Sequence, residues 1–134
     1  MYYIEADQAL VEGFVAEFPE GKPVVMLNLL NFSERAHYPA EHSMEACSGI
    51  EAFMRYGAAV TPLIAAAGGE QVWQGRPAAM LIGPQDKGWN LAVLVRYPSA
   101  RAFLEMVSSP EYQAISFHRA AALRDSRLIA HEEL

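Results

Sequence analysis

A chain of 134 residues and 14.8 kDa fits one domain and is short for two with cores of ordinary size. Hydrophobic residues make up 52% and charged residues 19%, which excludes a disordered chain and leaves apolar surface over for a partner. Ten basic against sixteen acidic residues give a net charge of −6, the wrong sign for the basic stripe that holds DNA or RNA.

Asp7 can cap a first helix in which Ala9, Leu10, Gly13, Phe14 and Phe18 form a rough stripe, ended by Pro19, Gly21 and Pro23. Glu5, Asp7 and Glu12 stand where an export signal would carry basic residues, so a cytoplasmic location is expected. The run Val24 to Phe32 is too short for a typical helix and apolar on both faces, interrupted by Asn28 and Asn31; it reads as a strand. Ser33 to Cys47 shows no sustained period and reads as a loop or flap. Ser48 with Glu51 makes a capping box for a helix running to Gly68-Gly69, kinked at Pro62. Its uncharged stretch around Val60 to Gly69, interrupted by Pro62 and ended by two glycines, is far shorter than the roughly 20 apolar residues that span a bilayer.

Glu70 to Gln74 and Ala78 to Ile82 are strand-like pieces, Gly83 to Gly88 a turn-rich connector, and Trp89 to Tyr97 a two-sided apolar strand. Pro98-Ser99 opens a helix with Ala100, Phe103, Leu104 and Val107 on one face. Ser109-Pro110 opens another, carrying Tyr112, Ile115, Arg119 and Ala122, and Arg127 to Ala130 closes as a strand. Without the leading helix the order is βαββαβ, an α+β, ferredoxin-like antiparallel unit. We therefore expect a single domain over 1–134, with 1–22 as N-terminal helix and connector and 23–131 as the core. Helices cover only one face of such a sheet, yet Val24 to Leu30 and Leu91 to Val95 are apolar on both. A second copy of the sheet would cover the other, which predicts a homodimer.

Several fragments in this order point to a family: Met26-Leu27-Asn28-Leu29-Leu30, Arg55-Tyr56-Gly57, Gly68-Gly69 through Trp73-Gln74-Gly75, Arg96-Tyr97-Pro98-Ser99, Ser109-Pro110-Glu111-Tyr112-Gln113 and His118-Arg119-Ala120-Ala121. Over residues 22–131 the chain resembles the DUF1330 family of domains of unknown function. The resemblance implies a dimeric α+β barrel, a fold shared with cofactor-free monooxygenases, haem-degrading enzymes, isomerases and decarboxylases. It implies no agreed reaction, and fold alone does not assign one. The Phe32 to Cys47 loop and the Gly83 to Gly88 connector depart from the shortest family pattern, at places that could reshape a pocket mouth.

The candidate site follows from side-chain chemistry together with that resemblance. Asn28, an amide in a buried strand, needs partners; it either bonds loop backbone or points into a cavity to hold a carbonyl or oxyanion. His118 is the candidate catalytic base, raised to that role by the resemblance, and Arg119 the candidate holder of a substrate carboxylate. Tyr56 and Trp73 are either core or the aromatic wall of a substrate pocket. Arg55 and Arg96 read as surface partners of Glu51 or Glu105, or as counter-ions for an acidic ligand. His37, Glu41, His42 and Glu45 have metal-donor chemistry without a ligand spacing, so no metal is expected, and no Gly-rich phosphate cradle anchors ATP or NAD. Lone Cys47 forms no disulfide and reads as an ordinary thiol. With no cofactor expected, the leading reading is an oxygenase or isomerase acting on a small, partly apolar acid or phenol between sheet and helices. A non-catalytic ligand-binding or stress-related module is the second, and haem binding or degradation through His118, Asn28 and Trp73 the third.

Overall fold

In the computed structural model of the protein, which describes residues 1–86 and 88–134, the apolar run Val24–Phe32 forms strand β1 at the centre of a four-stranded sheet. Ahead of it lies α1 (Gln8–Glu17), whose first amides, Ala9 N and Leu10 N, donate to the Asp7 carboxylate. A loop with a single 3₁₀ turn at Ala40–His42 leads to α2 (Gly49–Ala66), then β2 (Glu70–Gly75) and β3 (Leu91–Tyr97). Helices α3 (Ala100–Ser108), α4 (Pro110–Gln113) and α5 (Ser116–Ala122) precede β4 (Leu123–Glu132). The strand order β2-β3-β1-β4, antiparallel throughout, is that of a ferredoxin-like α+β fold.

The ends of these elements follow their local chemistry. In α2 the Ser48 hydroxyl accepts from Glu51 N while the Glu51 carboxylate accepts from Ser48 N, a complete capping box. The helix passes through Pro62 and ends where Gly68 takes φ +79°. There Gly68 N donates to Ala65 O and Gly69 N to Ile64 O, the paired bonds of a Schellman end. Ser99 and Ser109 cap α3 and α4.

Register divides the sheet into two faces. Val24, Met26 and Leu30 of β1 share a side with Val93, Val95 and Tyr97 of β3, and these pack with Phe103 and Met106 of α3 into the core. The opposite face carries Val25, Leu27, Leu29 and Leu94, all only partly buried, with Ile129 44% exposed. No helix covers it among the described residues, as the two-sided apolar pattern led us to expect. On β2 the pairing steps from Gln71↔Val95 to Trp73↔Leu94, a bulge that puts Trp73 on this open face, where it is 54% exposed.

The N-terminal residues lie along β4. Tyr3 N donates to Asp125 Oδ1 at 2.8 Å, Ser126 Oγ donates to Tyr3 O at 2.7 Å, and the Arg127 guanidinium stands 4.9 Å from the Tyr3 ring centre.

Two expectations change. Ala78 to Ile82 is not a strand: it lacks a paired neighbour among the described residues, Gln85 Nε2 folds the segment by donating to Met80 O and Gly83 O, and Leu81 and Ile82 are 90% and 96% exposed. The helix expected from Pro110 to Ala122 breaks at Ala114-Ile115 into α4 and α5, where Ile115 widens to φ −116°, away from regular helical geometry. Lys87 of the expected connector lies outside the described residues.

Candidate functional site

The long loop after β1 is tied at its base and free of backbone ties beyond it. Ser33 N donates to Ala122 O at 2.9 Å, Ala36 N to Cys47 O at 2.9 Å and His37 N to Ala121 O at 2.8 Å, while Arg35 bridges Ser48. The first residue of α2 must be Gly49, since a Cβ there would lie 2.1 Å from Ser33 O and 2.7 Å from Ala122 O. This junction brings the start of the loop, the start of α2 and the end of α5 together. From Tyr38 to Ala46, the described backbone makes hydrogen bonds only within the 3₁₀ turn, so side chains hold this stretch in place.

Those side chains form a cluster. The Tyr38 hydroxyl stands 2.6 Å from His118 Nδ1, and the two rings meet edge to face at 5.5 Å. His42 stacks on Phe117 at 3.9 Å, and Phe117 in turn packs against His118 at 4.1 Å. The Arg55 guanidinium carbon is 5.5 Å from the Tyr38 ring centre, and interaction with the phenol holds that cation's pKa above even its usual high value. Burial, the Arg55 charge and His42 together push the His118 pKa below the ordinary imidazole range. His118 is therefore a half-buried neutral imidazole near pH 7 with one ring nitrogen engaged. If Nδ1 carries the proton and donates to the phenol oxygen, Nε2 presents a lone pair; if the phenol donates, Nε2 carries the proton. An imidazole whose ring is fixed by a hydrogen-bonded phenol is an arrangement chemically able to accept or pass on a proton.

The expected site residues do not all converge here. Tyr56 lies on the helix side, its hydroxyl 2.9 Å from that of Tyr112, and burial beside Tyr112 pushes its pKa far up, which keeps it a neutral phenol. Arg119 points away from a ligand: its Nη1 donates to Ile4 O at 2.6 Å and anchors the N-terminal residues. Asn28 lies on the core face of β1 between Val93 and Leu128, half-buried, and no hydrogen bond engages its side chain among the described residues. Trp73 is on the other side of the sheet from Tyr56 and His118, placed there by the bulge. Clefts of about 290 Å³, between the end of α1 and the start of α3, and about 390 Å³, where α2 meets β2, are lined by none of these five residues.

Arg96 pairs with Glu70 at 3.2 Å and with Glu133, and Arg55 makes no salt bridge among the described residues, so neither takes the Glu51 or Glu105 partner that spacing suggested. His37, Glu41, His42 and Glu45 gather into no metal-binding group among the described residues; His42 lies flat on Phe117 instead. Tyr38, at the centre of this cluster, was not singled out by sequence reasoning. It sits in an aperiodic loop, and no spacing rule links positions 38, 55 and 118.

The model of the domain of unknown function DUF1330 matches residues 44–132. A crystal structure of a protein of unknown function from Rhodopseudomonas palustris is similar at 40% identity and TM-score 0.91, covering 100% of this chain and 98% of that one. At fold level, a dimeric ferredoxin-like protein of unknown function from Bacteroides fragilis superposes with TM-score 0.53 at 15% identity, covering 87% of this chain and 100% of that one. A dabb family protein with a ferredoxin-like fold from Mesorhizobium loti gives 0.54 at 12%, covering 84% of this chain and 97% of that one. No curated protein matches the chain. No helix among the described residues is long and apolar enough to cross a membrane.

Proposed function

This chain belongs to the DUF1330 family, and from that premise we propose that it binds a small, partly apolar acid or phenol against His118 and moves a proton on it without a cofactor, as an isomerase or cofactor-free oxygenase does. The 2.6 Å contact between Tyr38 and a neutral, half-buried His118 carries the reading. With Nδ1–H donated to the phenol oxygen, Nε2 removes a proton from an acidic C–H or O–H of the ligand. The positive imidazolium that results sits beside the anion it has made, and Tyr38 holds the ring so that the transfer reverses at a second atom or the anion reacts onward. Asn28, on the core side of the same sheet and without a partner among the described residues, offers an amide to a ligand carbonyl.

We read residues 1–134 as one domain and assign the uncovered sheet face to a second copy of the chain. Val25, Leu27, Leu29 and Leu94 supply its apolar surface, and the Bacteroides fragilis relative of the same fold is described as dimeric. The alternative, a binding module without chemistry, draws on Arg119, whose use by Ile4 leaves His118 without the anion-holding neighbour first expected.

Native mass spectrometry of freshly purified protein, followed by denaturation and identification of bound small molecules, tests both readings. A dimer carrying an acid or phenol that wild type alters and His118→Gln returns unchanged supports catalysis. A compound returned unchanged by both refutes it in favour of binding alone.

A further inference from the structure

Four arginine side chains hold oxygen partners. Arg96 takes Glu70 and Glu133, Arg127 takes Asp125, Arg119 takes Ile4 O and Arg124 takes the Tyr2 hydroxyl. Arg55 Nη1 is buried and has no hydrogen-bond partner among the described residues. An unpaired buried donor on a charged group is costly and persists where something else completes it. Carboxylates are not scarce, with sixteen acidic residues in the chain. The nearest in sequence is Glu51, one turn earlier on α2 and in the favourable acid-before-base order, yet its carboxylate is turned back onto Ser48 N at 3.1 Å. Around the guanidinium stand Tyr38, Cys47 and the neutral His118.

We propose that Arg55 Nη1 is the anchor for the carboxylate of a small aromatic acid, whose body packs among Tyr38, Phe117 and His118. One cation beside a neutral imidazole matches a monoanion better than a phosphate, and the aromatic surroundings favour a flat apolar body over a sugar or amino acid. This narrows the ligand class of the preceding section and rests on that reading for the ligand's position. It also moves the anion-holding role from Arg119 to Arg55.

Benzoate and its neutral isostere benzamide are the probes, titrated into the full chain while the Arg55 side-chain NH resonances are followed by NMR. The expected result is that benzoate binds about tenfold or more tightly than benzamide and shifts the Arg55 signals, the range given by one charge-assisted bond. Arg55→Gln should bring benzoate down to the benzamide level. Equal affinities, a shift confined to residues away from Arg55, no shift with either probe, or a crystal grown with benzoate in which Nη1 meets only water would each overturn it. Should Arg55→Gln fail to fold, the two probes on wild type decide alone. Equal binding of both probes near His118 removes the anchor and leaves proton transfer standing; benzoate preference with no turnover does the reverse.

Discussion

Gly49→Ala tests the junction on which the cluster depends. The added Cβ would lie 2.1 Å from Ser33 O and 2.7 Å from Ala122 O, the first about 1.3 Å short of the 3.4 Å where ordinary contact begins. Both obstacles are backbone, and Ala122 O is the acceptor of the 2.9 Å bond from Ser33 N, so relief means separating the loop from α5. Overpacking of this kind costs about 1–3 kcal/mol and the strained hydrogen bond about 1 kcal/mol more. Replacing glycine in a helix returns at most about 1 kcal/mol, and less in the first turn. The net loss is about 1–4 kcal/mol, or roughly 3–16 °C in Tm for a chain of this size. Calorimetry reads the stability, and the chemical shift of His118 reads whether Tyr38 has moved off it. A variant melting within about 2 °C of wild type, with the His118 signal unmoved, would refute both the packing argument and the claim that this junction sets the Tyr38–His118 contact.

Other outcomes follow from the same structure. Because the folded pKa of His118 lies below its unfolded value near 6.5, the unfolded chain binds the proton first. Its stabilising contribution is complete above 6.5 and is lost as pH falls through that value toward the folded one; urea midpoints across this window should drop in wild type and drop less in His118→Gln. Ser48→Ala removes the acceptor for Glu51 N and should cost about 1 kcal/mol in urea unfolding. Arg119→Gln frees Ile4 O, costs about 1 kcal/mol, and should speed hydrogen exchange at the Tyr3 amide now held by Asp125. On the dimer proposed above, wild type should run as a dimer by light scattering and Leu27→Glu on the uncovered sheet face as a monomer; a dimer unchanged by the substitution would place the interface elsewhere.

Much of the architecture was legible because its boundaries are written in local chemistry. Asp7, the Ser48–Glu51 pair, Gly68 and Ser109-Pro110 each satisfy specific backbone groups, and those helix ends fell where these residues stand. The face that Trp73 takes was not legible, because alternation along β2 holds only while pairing is regular, and one extra residue between Gln71 and Trp73 reverses which face follows. Ala78 to Ile82 has strand composition without a paired neighbour among the described residues, which no local pattern reveals. Tyr38, Arg55 and His118 come from three segments far apart in the chain, so only the fold could unite them. Arg55 had one readable sign: once Glu51 was assigned to a capping box, it was no longer available as a helix-surface partner four residues on.

The zipped base of the long loop has a meaning for how such a protein changes over generations. Arg35 against Ser48 and Ala36 N on Cys47 O close the segment before it reaches Tyr38, so the fold registers only two fixed ends. Doubling the length of a flexible segment between fixed ends costs only about 0.6 kcal/mol in closure entropy. Residues 38–46 can be lengthened, shortened or exchanged for those of a relative at little cost to the sheet, while every such exchange rewrites what faces His118 and Arg55. The scaffold and the surroundings of His118 and Arg55 can therefore diverge independently, which makes this loop the natural segment to graft when those surroundings are to be changed.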